Sequence, residues 1–123
     1  MFIQVAEFRG YFNMVTFLNN QKRVPVFEYY HLLLFFHPDD FKPMSIYGAF
    51  GEKLMRAEVE FNQGVFSKVE TTAVPGYETL DEEDAQRFVR IIDLYLSDIV
   101  RAWTDYYVYR REISNEVIRR RIN

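Results

Sequence analysis

The sequence predicts an α+β domain in which an antiparallel sheet of five to six strands packs against one long C-terminal helix. Three observations predict it. Residues 1–78 fall into short β-prone runs divided by turn residues, as in a β-meander. Residues 53–61 and 65–71 flank Asn62-Gln63-Gly64, a hairpin signature in which Gly64 supplies the left-handed turn conformation. From Thr79 onward, apolar residues step by four and three through Phe88, Ile92, Tyr95, Ile99, Ala102, Tyr106, Tyr109 and Ile113, which is a helical seam.

The totals narrow the classes. A chain of 123 residues suits one core and one domain, 1–123. With 49% hydrophobic and 27% charged residues it is not a disordered chain. It has no cysteine, which excludes disulfides and thiolate metal sites. A net charge of -3 weighs against a dedicated nucleic-acid binder. The first residues lack a basic stretch and meet Glu7 and Arg9 early, and the longest apolar run, residues 32–36, is strand-sized. Neither a signal peptide nor a membrane span is expected, and the expected location is cytoplasmic.

Taken in order, residues 2–8 alternate and read as a first strand ending before Gly10. Residues 11–18 carry apolar side chains on both faces, which predicts a central strand. Asn19-Asn20-Gln21-Lys22 is a polar turn. Pro25 cannot donate to a ladder and belongs at an edge or a strand start. Residues 29–36, the most apolar stretch, read as one buried strand. Pro38 and Pro43 mark a loop over residues 37–43, and residues 44–50 form a short strand closed by Gly48 and Gly51. The first hairpin arm sets Leu54, Arg56, Glu58 and Glu60 against Met55, Ala57, Val59 and Phe61, so one of its faces is wet.

Residues 73–77 then link to the helix, predicted over 79–123 with a weak break at Ser114-Asn115. Thr79 and Glu82 make a capping box, and Asp81, Glu82, Glu83 and Asp84 place anions in the first turn. A helix from Thr79 to Ile113 spans roughly 52 Å at 1.5 Å per residue. An eight-residue strand spans about 27 Å. The turns from Trp103 onward are therefore surplus to the sheet, and a second molecule is expected to cover them.

The one cluster of ligand-type residues is His37, Asp39 and Asp40, with His31 nearby. It suits a divalent metal or an acid–base pair. The commoner arrangement is a polar loop whose aspartates cap turns. His31 and His37, six residues apart along a strand, would sit about 20 Å apart and share no metal. No serine has a nucleophile-elbow context, Gly48-Ala49-Phe50-Gly51 lacks the features of a phosphate loop, and no cofactor is indicated. Arg110, Arg111, Arg119, Arg120 and Arg121 would meet phosphates or simply solvate a helix end, and the negative net charge favours the second. Tyr95 and the seam before it should pack on the sheet. Trp103, Tyr106, Tyr107, Tyr109, Arg110 and Ile113 are the expected interface, since aromatic residues and arginine anchor protein contacts.

Residues 34–47, then Gly51-Glu52 and Ala57-Glu58-Val59-Glu60-Phe61, resemble a small bacterial family known only as domain of unknown function 4160. In that family an aromatic strand, an acidic proline-containing turn and a His-x-His strand precede a hairpin and a helix bearing tryptophan. Trp103 stands where that tryptophan would be. Ser45 and Tyr47 replace the two histidines, so no role for them carries over. The resemblance covers about residues 29–107. Members stand beside toxin–antitoxin-like genes, which implies a partner protein.

The leading expectation is a small cytoplasmic protein–protein interaction module that forms a homo-oligomer, or binds a partner protein, through the distal helix. The alternative is an inhibitor or antitoxin-like protein of phage or mobile-element origin that blocks a partner's nucleic-acid site. A metal-dependent enzyme using His37, Asp39 and Asp40 ranks third. Neither direct nucleic-acid binding nor a membrane partner is expected.

Overall fold

A computed structural model of the chain describes residues 23–40 and 43–122. The strands expected at residues 2–8 and 11–18, and the turn after them, lie outside the described residues. Five strands pair antiparallel in chain order: β1 (Val24–Tyr29), β2 (Leu32–Phe36), β3 (Ser45–Phe50), β4 (Lys53–Asn62) and β5 (Val65–Ala73). Helices α1 (Glu82–Leu94) and α2 (Leu96–Trp103) run into a π-helical turn, Thr104–Val108. A two-residue strand, β6 (Glu116–Val117), completes the sheet order β5-β4-β3-β2-β1-β6.

The architecture is α+β, and two finer expectations are corrected. The first is the sheet, which is mixed: β6 pairs parallel with β1, Phe27 opposite Glu116. The second is the helix, which is not one continuous C-terminal rod over 79–123. It starts at Glu82 with Asp81 as N-cap rather than at Thr79, kinks at Tyr95 and ends in the π turn. Thr104 Oγ1 donates to the Val100 carbonyl at 2.8 Å, a local bond of the kind that bends helices. Tyr109 N–H then reaches back five residues to the Thr104 carbonyl at 3.1 Å, the π spacing. Arg110 takes the left-handed conformation, φ 58°, and the chain reverses. The tail returns along β1, where Ile118 N–H donates to the Glu28 carbonyl at 2.8 Å and Ile118 and Ile122 are buried. Of the turns expected beyond the sheet, those through Val108 form but fold onto the domain's own core, and the residues after Tyr109 leave the helix.

Residues 29–36, expected as a single strand, instead turn back on themselves. The reversal lies at Tyr30 and His31, with Tyr30 at φ 54°. No glycine or asparagine announces it. Pro25 sits near the start of β1, where the pairing with β2 shifts register, a place that tolerates a missing N–H. The β4–β5 hairpin forms as predicted, and both of its turn residues, Gln63 (φ 55°) and Gly64 (φ 82°), take the left-handed conformation that a two-residue loop favours.

The sheet has two unlike faces. On one, Leu32, Leu34, Phe36, Ile46, Ala57 and Val59 pack under Phe88, Ile91, Ile92 and Ile99. Gly48 lets α1 come this close, because a Cβ there would lie 2.7 Å from the Phe88 ring. On the other, Phe35, Tyr47, Ala49 and Leu54 are covered by Val74. The linker after β5 straps this edge, with Leu54 N–H donating to the Glu78 carbonyl at 2.8 Å, and then delivers Leu80 to the helical face.

Candidate functional site

The β3–β4 register builds a connected polar cluster. Ser45 stands opposite Glu58, and Tyr47 opposite Arg56. Side chains alternate along each strand, so all four project from the face away from the helices. The loop after β2 brings Asp40 down onto them. Arg56 grips its carboxylate with two bonds, Nε to Oδ2 at 2.9 Å and Nη2 to Oδ1 at 3.2 Å. The same guanidinium donates to Glu58 at 2.5 Å and to Ser45 Oγ at 3.1 Å, and Tyr47 donates to Asp40 Oδ2 at 2.5 Å. The Arg56 and Asp40 side chains are each 14% exposed, so the pair is largely out of water.

Burial alone would push the Asp40 carboxyl up, but the bonds from Arg56 and Tyr47 prevail and hold it below the usual carboxylate range. Burial, reinforced by donation to Asp40, pushes the Tyr47 phenol well above its ordinary value. Asp40 is thus a fixed anion and Tyr47 a fixed donor. The arrangement holds a loop in place; it does not ready a proton for transfer.

The other end of that loop is held by the π turn. Tyr107 Oη donates to the His37 carbonyl and lies 3.5 Å from that of Asp40. His37 is buried, which lowers its imidazole pKa against the pull of Asp39 and Asp40, and its Nδ1 accepts the Asp39 N–H at 3.2 Å. Of the metal candidates, then, Asp40 is committed to Arg56 and Tyr47, and Asp39 meets His37 through its backbone N–H. Among the described residues, no three His, Cys, Asp or Glu side chains converge as a metal site would need. His31 lies at the far end of β2, in the β1–β2 turn.

The expected interface residues divide. Trp103, Tyr106, Tyr107 and Ile113 pack against the domain's own core. Tyr106 and Tyr107 sit on Phe36, with ring centroids 6.4 and 5.6 Å away. Tyr109 is 59% exposed under the Arg111 guanidinium, and Arg110 is exposed beside it. A shallow cleft of about 590 Å³ lies here between Pro38, Asp39, Tyr106, Tyr107, Arg110 and Arg111. The arginines 119 to 121 are exposed along the returning tail.

Sequence reasoning missed a further feature, the outer rim of β5. Leu54 N–H points toward the β5 side, to Glu78, whereas Val59 N–H points to Met44 on the β3 side. Backbone direction alternates along a strand, so Glu58 and Glu60 bond inward to their β5 partners, Glu70 and Lys68. Val69 and Thr71 therefore aim their N–H and C=O groups outward. Among the described residues no strand receives them, whereas β6 covers the opposite edge at β1. Beside this rim, on the helical face, Val69, Ala85 and Val89 line an open groove of about 510 Å³ bordered by Glu82, Arg90 and Asp93. Residues 65–73 carry Val65, Phe66, Val69 and Ala73 without regular alternation, and the sequence offers no signal that this arm is an edge.

Among the described residues no helix is long and apolar enough to cross a membrane. Comparison of the chain with family models, curated proteins and solved structures finds no match, which neither adds to nor takes from the resemblance over residues 29–107.

Proposed function

We propose that this chain is a small cytoplasmic protein-interaction module whose contact surface is the rim of β5 rather than the distal helix. The carrying observation is the asymmetry of the sheet among the described residues: β1 carries the two-residue β6 against Phe27 and Glu28, while the nine residues of β5 turn backbone groups at Val69 and Thr71 toward no described strand. A sheet edge of this length recruits strands through main-chain bonds, with flanking side chains setting the choice. The cluster around Asp40 supports the same reading, because its members are engaged with one another and serve the loop.

The inhibitor reading rests on small size, net negative charge and the family resemblance, and the densest acidic run is residues 78–84. Within the fold Lys53 meets Asp81 at 2.7 Å and Arg87 meets Asp84 at 3.3 Å, so part of that run is neutralised.

Thr71→Pro tests the rim. Its N–H faces away from β4 and its side chain is exposed, so proline removes an outward donor and leaves the hairpin ladder intact. Immobilised wild-type chain should retain a binding partner, itself included, that Thr71→Pro does not. Equal retention by the two would overturn the reading.

A further inference from the structure

We infer that the strand received by the β5 rim is β5 of a second copy, antiparallel about a twofold axis through Val69, making one continuous sheet across the pair. It rests on the rim reading above and names the occupant.

The sequence of the rim selects the register. Val69 and Thr71 point their backbone groups outward. With Val69 opposite Val69 of the second copy, each donates its N–H to the other's carbonyl, a hydrogen-bonded pair on the axis. Lys68 then stands opposite Glu70 of the second copy, and Glu70 opposite Lys68, so two opposite-charge pairs form at once. These two residues share the face away from the helices, and a non-hydrogen-bonded pair brings side chains especially close. Neighbouring registers lose this. Centring on Lys68 sets lysine against lysine, and centring on Glu70 sets glutamate against glutamate. Centring on Thr71 leaves Glu70 opposite Thr72. A lysine in an edge strand ordinarily guards against indiscriminate pairing; with Glu70 two residues on, it admits one register and repels its neighbours.

Two further observations agree. Within the monomer Glu70 stands opposite Glu58, whose carboxylate is taken by Arg56 at 2.5 Å, so a lysine arriving on the open side of Glu70 gives it a cation. The groove formed by Val69, Ala85 and Val89 borders the same rim, and the twofold sets the two grooves side by side, each bordered by Arg90 and by Glu82 and Asp93.

Charge swaps on the full chain, read by light scattering and sedimentation, test this. The wild type should be a dimer at micromolar concentration. Lys68→Glu and Glu70→Lys should each weaken it about tenfold or more, because each turns both pairs repulsive. The double swap should restore it, and mixing the two single variants should give heterodimers. The singles have opposite effects inside the monomer, since Lys68→Glu faces Glu60 and Glu70→Lys faces Glu58. Loss of dimer in both therefore cannot be a folding defect. Amide exchange at Val69 and Thr71 should slow as concentration rises. A monomeric wild type, dimers indifferent to the swaps, or exchange protection independent of concentration would each overturn the second copy as occupant. If a monomeric chain still retains a protein that Thr71→Pro loses, the rim reading stands without this inference.

Discussion

The two faces of the sheet are closed by different physics. The helical face is apolar throughout: Phe88, Ile91, Ile92 and Ile99 are fully buried over Leu34, Phe36, Ile46 and Ala57. The other face combines a small apolar cluster around Phe35 and Leu54 with the clamp of Asp40, Arg56, Tyr47 and Ser45. Apolar packing is indifferent to pH and direction, whereas the clamp depends on charge state and geometry. The helical face therefore carries most of the stability, and the clamp fixes where one loop lies.

The largest expected effect breaks the first face. Phe88→Ala removes a ring that stands over Gly48 and should cost about 3–5 kcal/mol by the usual penalty for emptying a core aromatic site. Chemical denaturation should show it as a lowered midpoint with little change in slope. A loss below about 1 kcal/mol would mean that α1 is not seated on β3.

The clamp should break differently. Arg56→Met keeps most of the side-chain length but leaves Asp40 as a buried carboxylate without its guanidinium, and should cost about 3 kcal/mol at neutral pH. The pH dependence sharpens the contrast. Asp40 has a folded pKa below its unfolded value of about 3.9. In the wild type its contribution is present above that unfolded value and is lost as pH falls through the folded one. In Arg56→Met, burial without the partner raises the carboxyl, so protonation relieves the variant on acidification. The gap between wild type and variant should narrow as pH falls from 7 toward 3, while the gap for Phe88→Ala should stay constant. Stability curves at three or four pH values decide this. Parallel curves for Arg56→Met would mean that Asp40 is not held as an anion.

The same contrast explains what was legible in the sequence. The apolar face could be read because periodicity records it: Phe88, Ile92 and Ile99 lie on the expected seam and are buried, and the β4–β5 hairpin announces itself through Gly64. The clamp left no such trace. Asp40 and Arg56 are sixteen residues apart, and it takes the fold of the loop after β2 over the β3–β4 register to join them. The sequence offers Asp40 as a metal candidate, and in the fold its carboxylate meets Arg56 and Tyr47. The helix length is not legible in the sequence, because a seam counts apolar positions and does not register a π turn. Tyr106 and Tyr109 continue the period, yet Tyr106 turns in on Phe36 while Tyr109 is left at the surface just before Arg110 reverses the chain. The parallel strand β6 was hidden for the same reason, since residues 116–117 look like helix until the reversal is known.

The smallest effect tests whether the two faces communicate. Residues 37–40 are where they meet: the Asp40 carboxylate is held from the sheet by Arg56, and the His37 carbonyl from the π turn by Tyr107. Tyr107→Phe removes that hydroxyl but keeps the ring against Phe36 and Trp103, and should cost about 1 kcal/mol, the worth of one hydrogen bond. Combined with Asp40→Asn it closes a double-mutant cycle. If the loop moves as one body, releasing either end loosens the other, and the two losses should fall short of adding by about 0.5 kcal/mol or more. Strict additivity would mean that the two faces hold the loop independently. The clamp would then position its own segment and transmit nothing to the distal turn.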